Sequence, residues 1–205
     1  MKMIYTNGCS FTYGYELDKP YKQAWPNILA EKLNTTVANF GENNSDNQRI
    51  LQTTIDFFKM RPTNQTLVDI ADDWYPYYAI IQWSTYIRFD TIPQEIVLRS
   101  DNANTEEYLL DKYFVQIKIM QDFFESCKIP YLMFNGFDNE KVIPNSTSKF
   151  KDIINTKYFI GWPDESVVNW VYGMPHKPKG HPGEEAHVRI AEIVYENIRD
   201  KLRIS

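Results

Sequence analysis

The chain has 205 residues, enough to bury one substantial core, and its 43% hydrophobic and 24% charged residues have the balance of an ordinary globular domain. A net charge of -5, with 22 Lys and Arg scattered rather than clustered, gives no electrostatic footprint for nucleic acid, and no apolar run approaches the ~20 residues needed to cross a bilayer. Two cysteines, Cys9 and Cys127, are too few for a disulfide scaffold, and the polar turn after MKMIYTNG carries no export signal, so a soluble, cytoplasmic chain with two thiols is expected.

Strand-like and helix-like segments alternate along the chain, which predicts one α/β domain spanning 1–205 with helices covering a mostly parallel sheet. Met3 to Tyr5 is a short apolar strand that runs into Thr6-Asn7-Gly8. Trp25 to Leu33 reads as a helix, and Val37 to Phe40 as a second strand. From Ser45 the apolar residues Ile50, Leu51, Ile55 and Phe58 recur at helical spacing, with Asn44 or Ser45 available to cap the first turn. Tyr78 to Trp83 is a continuous run of central-strand type. Between 85 and 105 the period is lost and Pro93 appears, which predicts an excursion or lid. Leu110, Tyr113, Phe114, Ile117, Met120 and Phe124 then mark a helix that Pro130 closes, and Tyr131 to Phe134 is the next strand. The segment from Asp138 to Pro178 is the least legible, with short helices expected near Lys149 to Ile154 and Glu165 to Val171. After Pro182-Gly183 the stripe His187, Ile190, Ala191, Val194, Ile198 and Leu202 predicts the last helix, with His187 facing the core.

The first strand delivers Gly8-Cys9-Ser10 to the carboxyl end of an open sheet, where such folds place their ligands. A serine beside a glycine is commonly a turn or a cap; as a nucleophile it requires a base and an accessible hydroxyl. His181, in the loop before the last helix, supplies a base free to reach a neighbouring strand end. Adjacent residues at a strand end point opposite ways, so Cys9 and Ser10 cannot both face one cleft. A zinc site from His176, His181 and His187 fits no common ligand spacing, and neither a metal nor a cofactor is expected.

Four blocks in order resemble the SGNH (GDSL-like) hydrolases. Gly8-Cys9-Ser10-Phe11-Thr12 is similar to the Gly-Asp-Ser block, and Asn39-Phe40-Gly41-Glu42-Asn43-Asn44-Ser45 to the second. Gln82-Trp83-Ser84-Thr85 occupies the place of the Gly-x-Asn-Asp block, and His181-Pro182 followed by His187 that of the last. The resemblance implies a three-layer α/β/α fold, flavodoxin-like in its sheet, and an esterase acting through an acyl-Ser10 intermediate. It implies Ser10 as nucleophile, His181 as base, and Ser10, Asn44 and Ser84 as the oxyanion hole, with Cys9, Gly41, Gln82 and Trp83 as candidate cleft residues. The substrate it implies is an O-acyl ester, carried by a carbohydrate or another small molecule.

The departures concern the oxyanion hole and the triad. Asn44 stands where the family has glycine, Ser84 where it has asparagine, and Pro178 where it has the aspartate that orients the histidine. Two readings follow: an esterase whose histidine is oriented by a carboxylate from elsewhere, or a module that kept the fold and binds a carbohydrate or other small ligand with weakened catalysis. A carboxylate beside His181 separates them.

Overall fold

The computed structural model describes residues 2–60, 76–88, 103–137, 143 and 145–202. Its centre is a five-stranded, wholly parallel sheet formed by β1 (Met3–Asn7), β2 (Thr36–Asn39), β3 (Pro76–Trp83), β4 (Tyr131–Asn135) and β5 (Phe159–Ile160). The strands lie in the order β2-β1-β3-β4-β5. The chain therefore steps from β1 outward to β2, then returns to the other side of β1 to lay down β3. That reversal opens a crevice at the carboxyl ends of β1 and β3, and opposes Asn7 to Ile81 in the ladder.

The continuous apolar character of the central strands follows from helices on both faces. One face packs against α3 (Trp25–Lys32) and α7 (Glu184–Leu202), the other against α4 (Asn47–Lys59) and α5 (Ala103–Ser126), while α1 (Ser10–Tyr13), α2 (Pro20–Gln23) and α6 (Val167–Trp170) are single turns. Alternation sorts the side chains between the two cores: Ile4, Tyr78, Ile80, Leu132 and Phe134 join α3 and α7, whereas Tyr5, Ala79, Ile81, Trp83 and Met133 join α4 and α5. The helical stripes read from the sequence are the faces that bury, from Leu110 through Phe124 on α5 and from Ala186 through Ile198 on α7.

Several boundaries differ from expectation for local reasons. The cap of α4 is Asp46, not Asn44 or Ser45: its carboxylate accepts the Arg49 N–H at 2.7 Å. Residues 149–154 form successive turns instead of a helix. The Ser148 hydroxyl accepts the Phe150 N–H at 3.1 Å, and Lys151 bonds back only three residues to the Ser148 carbonyl, so the side chain competes with helical pairing. In 165–171 only Val167–Trp170 is helical. The excursion expected over 85–105 falls largely outside the described residues, and α5 has begun by Ala103.

His187 faces the core as its stripe predicts. It is wholly buried, and its Nδ1 accepts the backbone N–H of Trp25 at 3.2 Å, tying α7 to the start of α3. Burial, aided by the nearby charge of His181, pushes its pKa down to about 4. The unfolded chain thus takes up this proton near pH 6.5 while the folded chain refuses it until about 4, so stability falls as pH drops through that window. The contribution is about 3 kcal/mol across the window. Denaturant melts of the wild type and His187→Asn at pH 7.5 and 4.5 should differ accordingly: the variant, which keeps an acceptor for Trp25 but cannot protonate, loses most of this increment. Equal pH dependence in both proteins would contradict the assignment.

Candidate functional site

The site is built on the end of β1. The Asn7 amide reaches Thr53 Oγ1 at 2.8 Å and Thr54 Oγ1 at 2.9 Å on α4, while its carbonyl oxygen accepts the Gly8 N–H at 2.8 Å. The strand end is thereby pinned before the chain turns. At Gly8 a Cβ would lie 2.9 Å from Gln82 Cβ and collide with Thr12, so only glycine lets β1 pass so close to β3. Cys9 then caps α1, and Ser10 is its first residue, at the position where backbone N–H groups have no intrahelical acceptor.

Ser10 is buried, with 4% of its surface exposed. Its hydroxyl contact is Cys9 Sγ at 4.0 Å, a long, weak bond that leaves the proton available for a better acceptor. Cys9 itself is fully buried among Ile4, Phe11 and Trp25. The thiol belongs to the core.

His181 arrives from the other end of the chain on a tight loop. His176 bridges Pro182, the Lys177 N–H donates to the His181 carbonyl at 2.8 Å, and Gly180 takes a left-handed turn at φ 86°. The imidazole packs edge-on to Phe11, the residue after Ser10, with ring centroids 6.0 Å apart, and to Tyr15 at 4.9 Å. Its Nδ1 lies 2.7 Å from Glu16 Oε2. The second carboxylate oxygen, Oε1, accepts the Lys179 N–H at 3.1 Å, so Glu16 grips both the ring and the loop that presents it.

Glu16 thus places a carboxylate beside the histidine, a position that Pro178 leaves without one. It sits just past Gly14, where a left-handed residue ends α1, and itself adopts φ 69°, a conformation unfavourable for a side chain of this kind. Desolvation is the largest influence on its carboxyl and acts upward. The hydrogen bond and charge of His181 and the Lys179 N–H together outweigh it, holding the pKa below the usual carboxylate value. An ionised carboxylate only accepts, so Nδ1 carries the proton and Nε2 is left as the basic nitrogen.

The second-block loop runs along α1. A Cβ on the partly exposed Gly41 would lie 2.7 Å from the Tyr13 nitrogen, so glycine is required for this approach. The Glu42 N–H donates to the Gly8 carbonyl at 3.2 Å, and Arg49 braces the loop from α4 through Glu42 and through Ser45 Oγ at 2.9 Å. Asn44, exposed on this loop, has φ 64°, a left-handed backbone that asparagine tolerates better than most residues.

The end of β3 differs from expectation. Asn47 Oδ1 accepts the Ser84 N–H at 2.7 Å, and its amide donates to the Ser84 and Thr85 carbonyls, both at 3.2 Å. The Ser84 hydroxyl is buried with no partner among the described residues. Gln82 and Trp83, expected as cleft residues, lie beneath the site. Gln82 accepts from Thr12 Oγ1 and approaches Cys9 Sγ at 3.3 Å, while Trp83 donates to Met133 Sδ at 3.4 Å inside the α4/α5 core. The cleft role is therefore corrected for Cys9, Gln82 and Trp83, each fully buried.

Glu16 and Asn47 were not found from the sequence. Glu16 lies in an aromatic loop with no spacing to link it to a histidine 165 residues away, and Asn47 resembles any polar residue in a helix's first turn. Among the described residues no group of three His, Cys, Asp or Glu could hold a metal, and no helix is long and apolar enough to cross a membrane.

Solved structures share this architecture at low identity. A carbohydrate esterase family 2 enzyme with a carbohydrate binding domain, from Corynascus thermopiles (Myceliophthora fergusii), superposes with a TM-score of 0.62 at 13% identity. That likeness covers 98% of this chain and 66% of that one, so this chain spans about two thirds of the esterase's length. A protein assigned to the lipolytic G-D-S-L family from Desulfitobacterium hafniense DCB-2 gives a TM-score of 0.54 at 15% identity, covering 96% of this chain and 99% of that one. TesA gives 0.53 at 14%, covering 97% and 99%. No protein-family model matches the chain, and no curated protein matches it.

Asn47→Ala should destabilise the protein by about 2–4 kcal/mol, because it leaves the buried Ser84 N–H without its acceptor and removes the donor to two carbonyls. Urea denaturation at neutral pH checks this. A loss below ~0.5 kcal/mol would mean that Asn47 does not hold the end of β3.

Proposed function

We propose, from the premise that the chain carries the SGNH (GDSL-like) hydrolase fold, that it is a serine esterase cleaving an O-acyl ester through Ser10, His181 and Glu16. The observation that carries this reading is the 2.7 Å contact between Glu16 and His181 Nδ1. A carboxylate beside the histidine was the feature that separated an esterase from a binding module, and here it comes from the loop after the serine itself.

His181 Nε2 takes the Ser10 proton as Oγ bonds to the ester carbonyl carbon, and Glu16 stabilises the imidazolium that results. The negative charge on the former carbonyl oxygen is met by the Ser10 N–H at the start of α1, the Asn44 N–H and the unpartnered Ser84 hydroxyl. The tetrahedral species collapses, the alcohol leaves with the proton from Nε2, and water repeats the sequence to free the acid. The low exposure of Ser10 favours a small acyl group that can enter the crevice. The carbohydrate esterase likeness supports an acylated sugar as the alcohol part.

Hydrolysis of p-nitrophenyl acetate and of an acetylated sugar tests the assignment. Ser10→Ala should abolish kcat and His181→Ala should lower it nearly as far, since the two act as a unit. Glu16→Gln should lower kcat by about 10²–10⁴-fold with little change in KM, and Glu16→Asp should restore part of it. A Ser10→Ala protein as active as the wild type would overturn the mechanism.

A further inference from the structure

Beyond β3 the chain turns back on itself, with the Arg88 N–H donating to the Thr85 carbonyl at 3.3 Å. The turn lays the Arg88 guanidinium over the Phe137 ring, 5.2 Å from its centroid. Phe137 in turn packs at a tilt against Phe11, centroids 4.9 Å apart, and Phe11 meets the His181 ring edge-on. A wall of two aromatic rings therefore joins the candidate base to a cation. Arg88 Nη1 is shielded from solvent and has no hydrogen-bond partner among the described residues. A guanidinium cannot discharge itself by losing a proton, and an aromatic face satisfies none of its in-plane N–H groups.

Arg88 also lines a small polar recess with Asp46, Asn47, Tyr86, Lys112 and Gln116. Its carboxylate, Asp46, accepts the Arg49 N–H in the first turn of α4, and the Tyr86 hydroxyl donates to Glu106 at 2.7 Å. Asn47 is the residue that fixes Ser84 and Thr85, so the recess adjoins the end of β3. An unsatisfied N–H on a permanent cation, reached along an apolar wall from the reacting atoms, matches a planar anion carried some distance from an ester carbonyl.

We infer that Arg88 determines specificity, binding a carboxylate that the substrate carries apart from its scissile ester. This rests on the esterase reading and narrows it to acidic esters. The charge-assisted fork contributes about 10- to 100-fold in binding.

The test compares p-nitrophenyl monoesters of adipic and suberic acid with their methyl-capped, neutral counterparts. Wild-type kcat/KM should favour the acidic esters at least about tenfold; Arg88→Gln should erase that preference and leave the neutral esters within about twofold, and Arg88→Lys should restore only part of it. Hydrolysis of both series without preference, or an equal loss on both in Arg88→Gln, overturns the inference while sparing the esterase reading. Failure of both series in the wild type counts against the esterase reading instead. Calorimetric binding of suberate needs no turnover: wild type should bind it and Arg88→Gln should not. Equal binding by both, or by neither, overturns the role of Arg88 in either case.

Discussion

The contact between Glu16 and His181 joins the two ends of the chain, and the geometry of the site depends on it. Without it, the His181 ring itself is held by edge contacts with Phe11 and Tyr15, which orient an imidazole only loosely. With it, the tautomer is set, Nε2 is the basic nitrogen, and the Lys179 N–H anchors the same loop to the second carboxylate oxygen. The left-handed backbone at Glu16 is the local cost of this arrangement, of order 1–3 kcal/mol, and the surrounding bonds hold it in place. Because the Glu16 carboxyl stays ionised below the usual carboxylate range, its stabilising contribution is present above the unfolded value and is lost only as pH falls through that lowered value.

A second constraint comes from the sheet. Placing β1 between β2 and β3 opens the crevice beside Ser10, but it also requires the strand ends to pass at close range. Gly8 and Gly136 answer that requirement at Gln82, whose side chain fills the space beneath α1. Beneath Ser10 lies a packed, buried layer of Thr12, Cys9 and Gln82.

Much of the fold was legible because it rests on periodicity. The run from Tyr78 to Trp83, the stripe from Leu110 to Phe124 and the final helix each carry a pattern that burial alone enforces. The segment after Gly136 was not, because there short turns are decided by single side chains such as Ser148 and Asn155. The same distinction runs through the site. Ser10 and His181 stood out by residue type and position, whereas Glu16 acts through a contact spanning 165 residues that no local spacing encodes. Gln82 and Trp83 were misplaced for a simple reason: matching a block locates the strand end but not which of its faces is open. The Asn44 backbone is left-handed, a conformation that asparagine tolerates better than most residues other than glycine.

The reach and activation of Ser10 together make the central claim, and its 4% exposure makes reach the sharper half. Labelling of the intact protein with a fluorophosphonate, followed by mass spectrometry of the peptides, reads both at once. A single adduct on Ser10, formed much more slowly in His181→Ala and in Glu16→Gln, is the expected result. No adduct on Ser10 in the folded wild type, or an adduct formed at the same rate in all three proteins, would contradict the account.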